Sequence, residues 1–117
     1  MKNTLAIVLL VMVFAGCSTE KYGAALSKDA QSMKVKNIIL SPNLQGSKVM
    51  VEGEISIQCM SSGCWFFLTD DTGRLYIDLV PKGFAIPPSI GKKARVTGTV
   101  VQSQDGYMVV ADGVEVR

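Results

Sequence analysis

The sequence predicts an all-β domain, a Greek-key barrel of five antiparallel strands preceded by a signal peptide and a flexible tether. Three observations carry that expectation. Five segments between Lys48 and Val116 have strand character. Two of the turns between them have hairpin chemistry. One longer connector bearing two prolines separates the third strand from the fourth. A two-sheet sandwich usually needs seven strands or more, whereas a small barrel closes with five.

The first strand is read over Lys48–Gln58. Val49, Val51, Gly53, Ile55 and Ile57 alternate with Met50, Glu52, Glu54, Ser56 and Gln58, the period of two of a half-buried strand. The second runs from Cys64 to Asp70. Asp70-Asp71-Thr72-Gly73 is a turn, and Arg74–Val80 is the third strand, with Leu75, Ile77 and Leu79 alternating against Tyr76 and Asp78. Lys82–Gly91 contains Pro87-Pro88, which cannot donate to a ladder, so it is a connector. Lys92–Gln102 is the fourth strand, Gln104 to Gly106 lies in a hairpin loop, and Tyr107–Val116 is the fifth. Gly53 and Gly98 fall inside strands, where they suit the sharp coiling or bulges that barrel closure requires.

These residues carry a resemblance. "VMVEGEI", "CWFFLTDDTGRLYIDL" and "GKKARVTGTV" resemble the OB-fold family that includes anticodon-binding and single-strand-binding domains, over about Lys48 to Val116. Small exported bacterial OB-fold proteins are similar too. The resemblance specifies the fold better than the ligand. It implies a binding face flanked by the loop between strands one and two and the loop between strands four and five.

The N-terminus sets the compartment. Lys2 is followed by an unbroken apolar run, Leu5–Phe14, too short to span a bilayer as a mature helix. Phe14-Ala15-Gly16-Cys17 resembles the lipobox of bacterial lipoprotein signal peptides, with Phe14 in place of the more usual Leu. That resemblance implies removal of residues 1–16 and lipidation of Cys17, which would anchor the chain to a membrane. An ordinary cleaved signal peptide and an uncleaved anchor are the alternatives. Ser18 leans towards the outer membrane in a Gram-negative cell, and otherwise the outer face of the cytoplasmic membrane is implied. The stretch 17–32 is polar and small and reads as a tether. The domain is placed at 33–117, where residues 33–45 could pack on the barrel.

Charge and composition exclude several classes. The 117 residues less the first 16 leave 101, enough for one domain. The 12 basic residues less Lys2 leave eleven, against 10 acidic. That balance supplies no basic groove for nucleic acid, which we therefore do not expect as a partner. There is no histidine, which removes Ser-His and Cys-His catalysis and the commonest metal ligand. No pair of carboxylates stands out for acid–base work, and the chain is expected not to be an enzyme. Asp70 and Asp71 read as turn residues rather than calcium ligands, and Lys92, Lys93 and Arg95 as a solvated face.

Cys59 and Cys64 bracket the loop between strands one and two. An exported location favours a Cys59–Cys64 disulfide, since Cys17 is removed from the count by its lipid. Three alternatives remain open. Cys59, Cys64 and Met60 could hold copper(I), because soft sulfur ligands suit it, although no cofactor is expected. The pair could exchange electrons, although Cys-x4-Cys lacks the usual spacing. It could also be two free thiols.

Strand parity orients the aromatic residues. Arg74 and Asp78 cannot point inward, so Leu75, Ile77 and Leu79 do, and on strand two Phe66 and Leu68 do. Trp65, Phe67 and Thr69 then face out beside Tyr76. In the anticodon-binding domains that the chain resembles, an aromatic ring at the place of Trp65 stacks on a base. The expected contact surface is Trp65, Phe67 and Tyr76 with the loops Met60, Ser61, Ser62, Gly63 and Gln104 to Gly106. Its expected partner is an envelope protein, a glycan or a small ligand. Residues 33–45 or the Pro87-Pro88 connector could instead cover it.

Overall fold

The computed structural model describes residues 19–104 and 106–117. The signal segment 1–16 and the lipidation of Cys17 lie outside the described residues. The described chain forms β1 (Glu20–Gly23), β2 (Gln31–Ser32), α1 (Val35–Ile39), β3 (Lys48–Gln58), β4 (Trp65–Thr69), β5 (Arg74–Asp78), β6 (Lys93–Ser103) and β7 (Gly106–Val116). Short 3-10 turns cover Pro42–Leu44 and Val80–Lys82.

Five of these strands close a barrel. β3 pairs antiparallel with β6 through Lys48–Glu54 and with β4 through Glu54–Gln58. β4 pairs antiparallel with β5, β5 joins β7 in parallel at Ile77↔Val109, and β7 returns antiparallel to β6. The order is therefore β3-β4-β5-β7-β6 and back to β3. The expected five segments are the five barrel strands.

Two more strands lie where a free tether was expected. β5 reaches β7 only at Val109 and Val110, so the C-terminal half of β7 has one open edge. β1 fills it, from Glu20↔Val116 to Gly23↔Gly113. β4 likewise takes only the second half of β3, and β2 pairs in parallel with Val49 and Met50 on the open first half. Covering an edge satisfies its unpaired backbone groups. The correction has a plain cause: backbone pairing, and not an apolar pattern, holds these short polar strands.

The sharing of β3 requires a bend, and the sequence supplies it at two places. Gly53 sits where the strand passes from one neighbour to the other, and a Cβ there would meet the Thr69 carbonyl oxygen at 2.5 Å. A bulge then shifts the register between Ile55 and Ile57. The bulge overturns simple alternation. Ile57, expected inside, is 41% exposed, and Gln58, expected outside, is 5% exposed. A second irregularity falls between Thr97 and Gly98, where a Cβ on Gly98 would run into the Val110 carbonyl. Both mid-strand glycines thus stand where another strand's backbone comes too close for a side chain.

The core is aliphatic with one ring. Val49, Val51 and Ile55 of β3 meet Phe66 and Leu68 of β4, Leu75 and Ile77 of β5, Val96 and Val100 of β6, and Val109, Ala111 and Val114 of β7. Each such side chain, once buried, contributes about 1.5–3 kcal/mol relative to exposure. Val35 and Ile38 of α1 complete the core against β5 and β7. Among residues 33–45, Val35 and Ile38 go into the core rather than over the aromatic rings.

The turn between β4 and β5 docks α1. Asp70 Oδ1 accepts from Thr72 N at 2.7 Å, Thr72 Oγ1 at 2.6 Å and Gly73 N at 3.0 Å. Its other oxygen accepts from Val35 N at 2.9 Å, and Thr72 Oγ1 accepts from Lys36 N at 3.0 Å. A remote turn thereby satisfies the first N–H groups of a helix whose own N-cap, Lys34, makes no capping bond. Partial burial alone would push the Asp70 carboxyl up, but the bonds from Thr72, Val35 and Gly73 outweigh it and hold it below the ordinary value of 3.8. A depressed carboxylate stabilises the fold fully above its unfolded pKa and loses that contribution as pH falls through the folded one. Asp70→Asn should therefore cost about 1–2 kcal/mol at pH 7 in urea unfolding. The gap to the unaltered protein should narrow as pH falls from 4 towards 2, and a gap independent of pH would contradict the assignment.

Candidate ligand-binding face

Three rings gather on the outer surface of β4 and β5. The register places Phe67 opposite Tyr76 and Trp65 opposite Asp78. Trp65 stacks on Tyr76, with centroids 5.6 Å apart and planes 23° from parallel. Phe67 stands edge-on to both, at 5.9 Å from Trp65 and 5.4 Å from Tyr76. Each ring is half-buried, chiefly a consequence of this mutual packing, and the inward partners Phe66, Leu68, Leu75 and Ile77 are buried. The outward orientation read from parity is the one observed. Burial, then the negative charges of Asp78, Cys64 and Cys59, push the Tyr76 phenol above its ordinary value.

Sequence reasoning had placed Arg74 outside but not in the site. Its guanidinium lies 4.7 Å from the Phe67 ring centroid, a cation–π contact. Arg74, Phe67 and Tyr76 line a groove of about 480 Å³ whose far wall is Tyr107 and Met108 of β7 and Ile39 of α1. Arg74 was legible: it shares the parity of Tyr76 two residues on. Ile39 and Met108 were not, because only the closure of the barrel brings α1 and β7 beside β5. Of the second expected loop, Gly106 lines the same groove beside Ser103, Gln104 does not, and Asp105 lies outside the described residues.

The turn between β3 and β4 carries the cysteines at the end of the same face. The expected Cys59–Cys64 disulfide is not formed, and both are free thiols. The Ser62 hydroxyl lies between them, 3.3 Å from Cys59 Sγ and donating to Cys64 Sγ at 3.1 Å. Ser61 Oγ is also 3.3 Å from Cys59 Sγ. Hydrogen bonds from Ser61 and Ser62 pull the half-buried Cys59 thiol down to about 5.

The turn does not need a covalent staple. Cys59 N donates to Trp65 O at 3.1 Å and Gly63 N donates to Cys59 O at 2.9 Å. Gly63 has φ +63°, and a Cβ there would strike the Ile86 carbonyl. Ile86 N donates in turn to Gly63 O at 3.0 Å, which ties the turn to the connector. Gln58 makes the second tie. Its amide nitrogen donates to Ile86 O at 3.3 Å and Pro87 O at 2.9 Å, and its oxygen accepts from Ser89 N at 2.8 Å.

The copper alternative finds little support in the donor set. Met60 is 64% exposed, and the groups that reach Cys59 are serine hydroxyls, hard donors that a soft ion does not favour. Among the described residues, no group of three or more His, Cys, Asp or Glu side chains could hold a metal ion.

A larger concavity, about 680 Å³, lies elsewhere, between β3 and the turn after β4. Several of its charges are already engaged: Asp70 holds α1, Asp71 pairs with Lys34 at 2.9 Å, and Glu52 with Arg95 at 3.1 Å. No described helix is long and apolar enough to cross a membrane.

Comparison with known proteins places the fold. No family model matches, and no curated protein matches by sequence. Solved structures do. The hypothetical protein ygiW from E. coli is 14% identical with a TM-score of 0.58, over 82% of this chain and 100% of that one. Asparaginyl-tRNA synthetase from Pyrococcus horikoshii is 16% identical with a TM-score of 0.58, over 72% of this chain. The match spans only 22% of the synthetase. An OBody, AM1L10, in a structure bound to hen egg-white lysozyme, is 17% identical with a TM-score of 0.55, over 79% of this chain and 94% of that one. These likenesses support an OB-fold.

Gln58→Ala should cost about 2–3 kcal/mol in denaturant unfolding, because it strands the buried Ile86 carbonyl and the Ser89 N–H, while Pro87 O keeps its bond from the Ser89 hydroxyl. Loss of less than about 0.5 kcal/mol, the usual size for a neutral surface change, would show that the connector is held by other contacts.

Proposed function

We propose that the chain is a lipid-anchored, exported, non-enzymatic binding module of the cell envelope that takes its ligand on the Trp65–Phe67–Tyr76 face. One observation carries the reading: three aromatic rings, one stacked pair and one edge-on, stand outward on a sheet surface with a cation at their margin. An outward cluster of rings is costly to leave in water and usually marks a contact site. Planar or ring-bearing ligands suit it, a glycan above all, with the turns at Met60–Gly63 and near Gly106 as the rim. An envelope protein or another small ligand would meet the same surface. Anchoring rests on the apolar run Leu5–Phe14 and on Ala15-Gly16-Cys17, and it would place the barrel at the periplasmic face of the outer membrane in a Gram-negative cell.

Single-stranded nucleic acid is the second reading. Arg74 beside Phe67 favours it, since stacking plus a cation is how such strands are held. The near-neutral charge balance weighs against it.

The test uses the only tryptophan of the chain as reporter. A chitooligosaccharide and an oligothymidylate would each be titrated at physiological salt while Trp65 fluorescence is read. The proposal expects saturable quenching by the sugar, and a loss of affinity of about 5- to 150-fold in Tyr76→Ala, the size of one stacked ring. Binding of the oligonucleotide alone, weakening steeply with salt, would favour the second reading. Silence with both probes would sink the face as a ring-binding site.

A further inference from the structure

We propose that Cys59 and Cys64 form a peroxide-reactive thiol pair, with Cys59 oxidised first and Cys64 closing the bond. The two sulfurs are placed around a single atom, Ser62 Oγ, at 3.3 and 3.1 Å. Sharing that one hydroxyl keeps the two sulfurs within the sum of those two distances of each other, close enough for side-chain rotation to bring them into contact. The turn holds them there through the Cys59–Trp65 and Cys59–Gly63 backbone bonds, and the Gly63–Ile86 bond and Gln58 fix the turn to the connector. A shallow cleft of about 230 Å³ opens beside Cys59, lined by Met60, Ser61, Ser62, Pro87 and Pro88, so a small oxidant reaches it.

The two thiols are not equivalent. Cys59 has two hydroxyl neighbours, Ser61 and Ser62, and Cys64 has one, which it shares. Ser62 has a single proton. When Cys59 is ionised, Ser62 turns that proton to it and leaves Cys64 without a donor. Cys59 is accordingly the sulfur whose anion the turn stabilises, in line with its lowered pKa of about 5. A low-pKa, accessible cysteine beside a second thiol is the arrangement of a redox-responsive pair.

The chemistry balances with a hydroperoxide as the named oxidant. The Cys59 thiolate attacks one peroxide oxygen, the O–O bond breaks, and hydroxide leaves, giving Cys59 sulfenic acid. The Cys64 sulfur then attacks Cys59 Sγ and displaces hydroxide, forming the S–S bond. Two thiols and one hydrogen peroxide become one disulfide and two waters. Trp65 follows Cys64 directly and stacks on Tyr76, so closure is felt at the aromatic face.

The test takes the protein reduced with a phosphine and cleared of it, at pH 6. One equivalent of hydrogen peroxide should lower the intact mass by two hydrogens, remove both thiols from alkylation, and alter Trp65 fluorescence. A dithiol should reverse all three. In Cys64→Ser the intermediate should be trapped by dimedone at Cys59, and in the unaltered protein closure should outrun trapping. Two hydroxyl donors against one favour the Cys59 thiolate, so at pH 6 peroxide should oxidise Cys59 in Cys64→Ser severalfold faster than Cys64 in Cys59→Ser. Ser61→Ala with Ser62→Ala should erase that difference with the circular dichroism unchanged. Equal rates in the two single variants, faster reaction at Cys64, or disulfides only between molecules would overturn the proposal. A pair that stays closed through the reductant would overturn it as well, as a permanent staple.

Discussion

One strand belongs to two sheets' worth of neighbours, and the rest of the molecule follows from it. β3 gives its first half to β6 and its second half to β4, and only a strand that coils sharply can do so. Gly53 makes the coil possible by removing the side chain that would meet the Thr69 carbonyl. The bulge after Ile55 completes it. With β3 bent, β5 and β7 meet in parallel and the ring closes around an aliphatic core. Half-used edges are the by-product, and β1 and β2 are their cover.

The same bend builds the candidate site. The bulge moves Ile57 out and Gln58 in, so the strand enters its turn with an amide pointing at the Ile86–Ser89 connector. That amide and the Gly63–Ile86 bond fix the turn that holds both cysteines, and the turn delivers Trp65 into β4. Cys59 and Cys64 therefore sit in the turn that leads directly into the ring-bearing strand β4. The asymmetry between the thiols is electrostatic and local, two hydroxyls against one. The asymmetry of the rings is topological, since parity alone sends Trp65, Phe67 and Tyr76 outward.

Much of this was legible from spacing. Leu75-x-Ile77-x-Leu79 fixed the inward face of β5, and the neighbouring strand then assigned Phe66 and Leu68 to the core and Trp65 and Phe67 to the surface. Gly53 and Gly98 marked the tight approaches because a flat strand has no use for them. What failed did so for identifiable reasons. Alternation carries no warning of a bulge, so Ile57 and Gln58 were reversed. The pairing of Glu20–Gly23 with β7 is backbone chemistry at an open edge, invisible in a polar sequence. Two cysteines in a chain read as exported argue for a disulfide by context, but the hydroxyl that both sulfurs share is a matter of geometry. Asp70 was read as a turn residue, which it is, but its bond to Val35 N joins segments 35 positions apart, and no local pattern encodes that.

The most direct test of the account is whether β3 is shared. Nuclear Overhauser contacts between strands, measured on isotope-labelled protein, read this without a crystal. The account predicts contacts between Val51 and Val96 on one side of β3 and between Gln58 and Phe66 on the other, together with Ile77 to Val109 across the parallel closure. Contacts on only one side of β3, or a missing β5–β7 pairing, would mean an open sheet and would contradict the barrel on which the aromatic face and the thiol turn both depend.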